Sequence, residues 1–500
     1  MLRILGSPRK LCTGWTRREM LWAGGLGLLG IGLSDFLRLS AVQAADAARR
    51  APAHFGRAKS CILLYLYGAP SQLETFDPKP DAPVEIRGEL KSIRSRLPGL
   101  DVCELLPHAA QVMDRVTVVR SLTHPYPIHG VAYALTGVPH TDVPMELNPR
   151  DGRHWPFIGA VVDYITRPKA GARPSEVPTN IALPFPFSSR RTGEVARAGP
   201  YAAFLGGAYN PVWTQFHGRA TRNVVKTLAQ QKLDVAEPYL GITPESRFEL
   251  AAATELPADI TLDRLDRRRS LLEQFDQGRR RLEQTAAGRN LDHYRQMAYA
   301  LIGSEKVRRA LDLSQEPLAL RESYGMTLFG QASLAARRLV EAGARFVTVF
   351  WDEYGLAGSA WDTHWEHYPR MKNELLPGLD MALYGLIQDL DARGLLDETL
   401  VVCLSEHGRT PKLQNVAGGG RDHWSQVYSA LLAGGGVARG RVVGKSDKIA
   451  SSVAERPVSP KDILATVYHL LGIDPHTTLT DRTGRPVPLV EGNVVGEVLA

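Results

Sequence analysis

The stretch Thr399-Leu400-Val401-Val402-Cys403-Leu404-Ser405-Glu406-His407-Gly408-Arg409-Thr410 decides how the chain is read. Its first six residues are a short apolar run rich in β-branched side chains, which predicts a strand covered on both faces of a sheet. A carboxylate and an imidazole, Glu406 and His407, follow at once. In an open α/β sheet, the crevice beyond the carboxyl ends of the strands is where ligands bind.

Two related clusters flank this one: Trp361-Asp362-Thr363-His364-Trp365-Glu366-His367 upstream and Gly420-Arg421-Asp422-His423-Trp424 downstream. Oxygen from Asp or Glu and nitrogen from neutral His suit zinc, manganese or iron, and such a site with an open position can activate water. One His–carboxylate pair is ordinarily a structural hydrogen bond or a surface ion pair. Three in so short a span, each at a strand end, point to a metal or catalytic cleft with Asp362, His364, Glu406, His407 and His423 as the expected ligands. Glu366, His367 and Asp422 come second, because a further carboxylate or imidazole can serve only to orient a ligand.

Moving outward, Cys61-Ile62-Leu63-Leu64-Tyr65-Leu66-Tyr67 predicts a central parallel strand. It stops at Gly68, and Gln72-Leu73-Glu74-Thr75-Phe76-Asp77-Pro78 follows. A first metal carboxylate is expected there, with an ordinary Asx turn at Asp77 as the alternative. Val116 to Val119 predicts a second strand, after which Thr123, His124 and His129 stand at a strand-to-helix turn where backbone N–H groups can receive an anion. Either imidazole could equally be a local cap. Leu105 to Met113 and Gly330 to Ala342 read as helices, Arg345 to Trp351 and Val427 to Ala433 as strands, the latter a last apolar strand. Ser459 to Leu471 predicts a closing helix with Pro460 in its first turn. Residues 139–239 are rich in Pro, Gly, Arg and aromatics around a short strand, Asn180 to Leu183, and suggest binding loops. Asp263 to Ala300 has the Leu, Glu and Arg spacing of an exposed helix.

Five hundred residues with 44 % apolar and 23 % charged side chains describe a globular protein and exclude a disordered or fibrous one. The amino terminus stands apart. Thr16-Arg17-Arg18-Glu19-Met20-Leu21, a Gly-rich apolar stretch and Ala41-Val42-Gln43-Ala44 predict a twin-arginine export signal over residues 1–44, read by the twin-arginine translocase, and a periplasmic or cell-envelope destination. Asp35 and Arg38 end the apolar stretch well short of the roughly 30 Å of hydrocarbon that a span must cross, so no permanent membrane span is expected. Six basic residues against two acidic ones put +4 of the formal +7 in this segment, and the remainder, near +3, does not suggest nucleic acid. Four cysteines make neither a disulfide framework nor a CxxC zinc pattern. Residues 45–59 read as a linker, and 60–500 as one domain with a helical or irregular insertion at about 139–320.

Taken in order, the twin-arginine signal, Thr75-Phe76-Asp77-Pro78-Lys79-Pro80, Glu85-Ile86-Arg87-Gly88-Glu89, Tyr324-Gly325, Arg337 to Gly343, Asp362-Thr363-His364, Glu406 to Pro411 and Gly420 to Trp424 resemble the exported bacterial family catalogued as domain of unknown function 1501. That family is similar in fold to the alkaline phosphatase and sulfatase superfamily. The resemblance implies a three-layer α/β fold with a mostly parallel central sheet and helices on both faces. It implies one metal site of Asp362, His364 and His423 and another of Glu406 and His407 with Asp77 or Glu74, holding zinc, manganese or calcium. It further implies a hydrolase of phosphate or sulfate esters, acting on an anionic small molecule or polysaccharide ester. Water or Thr123 would attack, and Arg409 or His129 would stabilise charge. The alternative is a binding or scaffold protein of the same fold. Two departures stand out: His407 replaces a usual Phe, and Pro127, Ile128 and His129 stand where the superfamily's nucleophile is expected.

Overall fold

The computed structural model describes residues 54–126, 131–138, 152–167, 175–186, 199–219, 224–228, 231–235, 241–250, 304–351, 360–481 and 483–500. Among them one large sheet is built from β1 (Ser60–Leu66), β2 (Val116–Leu122), β3 (Asn180–Leu183), β4 (Val212–His217), β5 (Arg247–Leu250), β6 (Phe346–Trp351), β7 (Thr399–Leu404), β8 (Tyr428–Ala433) and β9 (Arg441–Val443). Their order across the sheet is β9-β2-β8-β7-β1-β6-β3-β4-β5. β1 pairs in parallel with β7 on one side and β6 on the other, and every residue of all three is buried. That is why these runs read as continuously apolar rather than alternating. β8 is antiparallel to both β7 and β2, and β5 to β4. The remaining pairings are parallel.

Helices cover both faces of the sheet, as the side-chain alternation of β6 shows. Phe157, which leads into α1 (Ile158–Thr166), meets Phe346 edge to face at 5.7 Å. Phe329 of α2 (Leu328–Ala342) lies 4.6 Å from Trp351. Residues 346 and 351 differ by an odd number, so the two helices lie on opposite faces. α3 (Leu376–Ala392) packs beside α2, whereas Ile463, Leu464 and Val467 of α4 (Pro460–Leu470) share a small void with Ile158 and Phe346. α2 is capped by the Thr327 hydroxyl on the Gly330 amide, and α4 starts in a reciprocal capping box between Ser459 and Asp462.

α2 and α3 are joined by a buried charge network. Arg337, fully buried, contacts Asp389 at 2.8 Å, Glu316 at 2.7 Å and Glu341 at 2.6 Å, and the Tyr324 hydroxyl donates to Asp389 at 2.9 Å. The Tyr324 and Arg337 stretches of the sequence thus have a role in packing.

Several boundaries differ from the sequence reading. The span read as an insertion supplies β3, the strand expected at Asn180 to Leu183, and also β4 and β5 of the main sheet, whose short runs between long irregular connections give a weak periodic signal. Residues 54–59 are held to the body: Gly56 and Ala58 donate to His469 and Leu470 carbonyls, and Lys59 to Glu398. β8, the last apolar strand, is followed in the sheet by β9, three residues long and partly exposed. Where a helix was expected over Leu105 to Met113, a 3-10 segment runs from Ala109 to Arg115. The expected helix at 263–300 lies outside the described residues. No helix among the described residues is long and apolar enough to cross a membrane.

Candidate metal centre

The carboxyl ends of β1, β6 and β7 open into the loops that carry the sequence clusters. After β1 the chain turns at Gly68, whose φ of 95° lies in the left-handed region, and a Cβ there would meet the Asp362 amide nitrogen at 2.4 Å. Only glycine lets the two loops approach so closely. The Trp361 amide donates to the Tyr67 carbonyl at 3.0 Å, fixing where Asp362 begins. Arg370 donates to the Asp362 carbonyl at 3.0 Å and leads into a π-helical turn, Met371–Leu375, a local geometry common at functional sites.

The third segment is fastened to both others. Gly408–Arg409 pairs antiparallel with His423–Trp424, and the Thr410 amide donates to the Asp422 carbonyl at 2.9 Å. The amides of Glu366, His367 and Tyr368 donate to carbonyls at 417, 419 and 418, and the Arg421 amide to the Thr363 carbonyl at 3.1 Å. A Cβ at Gly420 would lie 2.0 Å from the His364 carbonyl oxygen, so that crossing also requires glycine.

These loops bring Asp362, His364 and His423 together, with one ligand atom of each within 4.8 Å of the others. His364 Nε2 stands 3.0 Å from Asp362 Oδ1 and 3.0 Å from His423 Nε2, and His423 Nε2 is 3.5 Å from Asp362 Oδ1. Their side chains remain 13 to 27 % exposed, enough for an ion or substrate to reach them. Asp422 Oδ1 lies 2.7 Å from His364 Nδ1 and accepts its proton, which turns the Nε2 lone pair toward Asp362 and His423. Gln414 donates in turn to the other Asp422 oxygen. When the ring is protonated Nε2–H donates to Asp362 as well, and this hydrogen bond holds the His364 pKa above its usual value, against the opposing effect of burial.

Two imidazole nitrogens and one carboxylate oxygen, with the Asp422 carboxylate orienting one imidazole from behind, fit zinc or manganese. They fit calcium poorly, since calcium prefers six to eight oxygen ligands.

The other expected residues are placed differently. Glu406 is buried, and its carboxylate accepts from the Gly68 amide at 2.7 Å, the Tyr65 hydroxyl at 3.2 Å and Ser405 Oγ at 3.1 Å. It ties β7 to β1. His407 is buried too, with Nδ1 2.8 Å from the Gly408 carbonyl and its ring 4.7 Å from that of His423. Asp77 receives a hydrogen bond from Ser446 and lies 2.9 Å from Lys79 Nζ and 3.6 Å from Arg120. Arg409 is fully buried and donates to the carbonyls of Gly68, Ala69 (2.9 Å) and Arg421 (3.1 Å) and to Asp362 Oδ1 (2.6 Å).

Thr123 is half-buried just past β2, its amide donating to the Val458 carbonyl at 2.9 Å, and makes no hydrogen bond to the cluster. Its neighbour His124 receives the Tyr126 amide on Nδ1 at 3.2 Å, so Nε2–H donates to the Glu406 carbonyl at 2.7 Å. Burial lowers the His124 pKa and favours this neutral form. Glu366 starts a helical turn at φ 49°, and His367 is buried against Thr363 and Glu74. His129 lies outside the described residues. The sequence reading missed Arg421 as a buried residue: a charged side chain between Gly420 and Asp422 carries no periodic signal of burial.

Fold and cluster together define an α/β protein with a candidate metal centre at the carboxyl ends of its parallel strands. The chain belongs to the protein family of unknown function DUF1501, whose model matches residues 58–499. No curated protein matches it. Similar solved structures include Ps i-CgsB, 13 % identical, covering 83 % of this chain and 72 % of that one with a TM-score of 0.38. PsFucS1 sulfatase from Pseudoalteromonas sp. is 11 % identical, covering 84 % and 69 % with a TM-score of 0.34. The phosphonate monoester hydrolase SpPMH from Silicibacter pomeroyi is 12 % identical, covering 88 % and 76 % with a TM-score of 0.29. Likenesses of this size transfer no activity.

Proposed function

We propose that this chain is an exported, metal-dependent hydrolase of phosphate or sulfate esters. The observation that carries the reading is the convergence of Asp362, His364 and His423 at the carboxyl ends of the strands, with Asp422 orienting His364. A bound zinc or manganese ion would supply Lewis-acid stabilisation of the charge that develops on an ester oxygen. Asp362, His364 and His423 would hold it, Asp422 would keep the proton of His364 on Nδ1, and Arg409 would fix the Asp362 carboxylate. Attack by water or by the Thr123 hydroxyl completes the scheme, with an anionic small molecule or polysaccharide ester as substrate. Export would run through the twin-arginine translocase to the periplasm or cell envelope.

One observation favours the rival reading, a binding or scaffold protein of the same fold. Asp362 Oδ1 is already approached by Arg409, His364 and His423, so its charge is compensated by the protein itself. Metal analysis after incubation with zinc or manganese, followed by assay on aryl phosphates, phosphodiesters and aryl sulfates with and without chelator, separates the two. The hydrolase reading expects bound metal and at least one turnover that chelation abolishes. Protein that stays metal-free refutes it.

A further inference from the structure

Glu74 is 1 % exposed and lies among charged and polar side chains that the proposed reaction does not use. Arg421 Nε is 3.1 Å from Glu74 Oε1, and Nη2 donates to the same oxygen. The other guanidinium N–H groups go to the carbonyls of Thr410 (3.0 Å), Pro411 and Ile86 (2.8 Å), so all five donors of the group are used. On its other oxygen Glu74 faces His367 Nε2 at 3.4 Å, and His367 Nδ1 lies 2.7 Å from the Thr363 hydroxyl. Burial pushes the Glu74 pKa up, but Arg421 and His367 more than offset this and hold it at about 2.

We infer that Glu74 is a positioning residue of the metal centre, a single buried carboxylate that sets the spacing between the two segments that carry its ligands. One arm runs through His367 to Thr363, which lies between Asp362 and His364. The other runs through Arg421, which precedes Asp422 and His423. A shift of the second segment would break the buried, charge-assisted Arg421–Glu74 hydrogen bonds, and a shift of the first would part Thr363 from His367 or His367 from Glu74. Metal sites tolerate misplacement of only about half an ångström, so this spacing controls affinity. Glu74 does so without being a ligand itself, because its oxygens are directed at Arg421 and His367. The inference rests on the metal-centre reading above.

A double-mutant cycle tests it on the full-length protein, with cobalt(II) chloride as a spectroscopic probe of the centre and circular dichroism as a check on folding. Glu74→Gln keeps the side chain's shape and removes its charge. It should weaken cobalt affinity about 10- to 100-fold and alter the cobalt absorption bands. In an Arg421→Met background the same change should have much less further effect, because the arm it acts through is gone. A loss that is equal in both backgrounds would make Glu74 a direct ligand and overturn the positioning role, as would unchanged affinity in Glu74→Gln. Thr363→Val, which removes one hydroxyl, should weaken affinity in the same direction and carries the test if Glu74→Gln does not fold; unchanged affinity there overturns the role as well. A wild-type protein that takes up no cobalt sinks the metal-centre reading, and this inference with it.

Discussion

His364 Nδ1 stands 2.7 Å from Asp422 Oδ1, and this hydrogen bond decides which ring nitrogen faces Asp362 and His423. Asp422 is 48 % exposed, so its carboxylate contributes little to folding and acts mainly through the imidazole. Asp422→Ala should leave the melting temperature of the metal-free protein nearly unchanged and weaken zinc binding by about 10- to 100-fold. Calorimetric titration of both proteins checks this; equal affinities would remove Asp422 from the centre.

In the proposed centre metal and proton would compete for the same ring. Asp362 raises the His364 pKa, so in the metal-free protein the charged form contributes stability that is complete below the ordinary histidine pKa and is lost as pH rises through the raised value. Zinc needs the neutral ring. Affinity should therefore rise with pH until His364 has lost its proton and level off above that. Titrations in buffers of different ionisation enthalpy should show protons released on binding, and a pH-independent affinity between pH 5 and 8 would contradict the assignment.

Arg409 gives a contrasting prediction. Its guanidinium is fully buried and laces three loops through carbonyls at Gly68, Ala69 and Arg421. Arg409→Met leaves those acceptors and Asp362 without their donor, which costs about 3–5 kcal/mol. Denaturant unfolding of the metal-free protein should show that loss. A variant of normal stability with only a raised KM would instead place Arg409 against substrate.

What the sequence showed, and what it hid, follows from how each feature is encoded. β1, β6 and β7 are buried on both faces, so their apolar runs stand out, and Glu406 and His407 fall just past β7 as expected. Asp362, His364 and His423 were legible because short His–carboxylate clusters at strand ends are rare. Asp77 and Glu74 were harder, since both are acidic residues in one turn after β1 and only three-dimensional pairing separates them. Asp77 goes to Lys79 and Arg120, Glu74 to Arg421, more than three hundred residues away in sequence. Nothing local to Glu74 announces a partner at that distance. β3, a fully buried run, was legible as a strand, whereas β4 and β5 were lost for a different reason: they lie toward the sheet's edge, are short and are only partly buried.

The same ion pair governs acid stability. The Glu74 pKa, at about 2, lies below the ordinary carboxylate value, so its contribution is complete above pH 4.5 and is lost as pH falls toward 2. A contribution of a few kcal/mol should disappear over that window. Urea midpoints measured from pH 5 to pH 2 should therefore fall more steeply for the wild type than for a Glu74→Gln, Arg421→Met double variant, in which both charges are gone. Parallel curves would mean that the pair does not govern the acid limb.

The proposed export makes a separate prediction, because a twin-arginine route would depend on the Arg17-Arg18 pair. Replacing both by Lys should leave precursor in the cytoplasm, as fractionation and immunoblotting would show. Unchanged export would assign the protein to another route.

His423 offers the test that separates a ligand from a core histidine. It supplies one of three donors, so His423→Ala should weaken metal binding by orders of magnitude. Metal binds the folded chain far better than the unfolded one, and the loss must therefore appear as stability. With free zinc at about 100 times its dissociation constant, linkage adds roughly 2.7 kcal/mol to the wild type. In a chain of this size that raises the melting temperature by a few degrees. The side chain is 24 % exposed, so truncating it leaves no sealed cavity and little intrinsic penalty is expected. His423→Ala should accordingly melt below the wild type in zinc and match it once both are stripped with chelator. A deficit that persists without metal would identify His423 as a packing residue and leave Asp362 and His364 without the third donor on which the proposed centre depends.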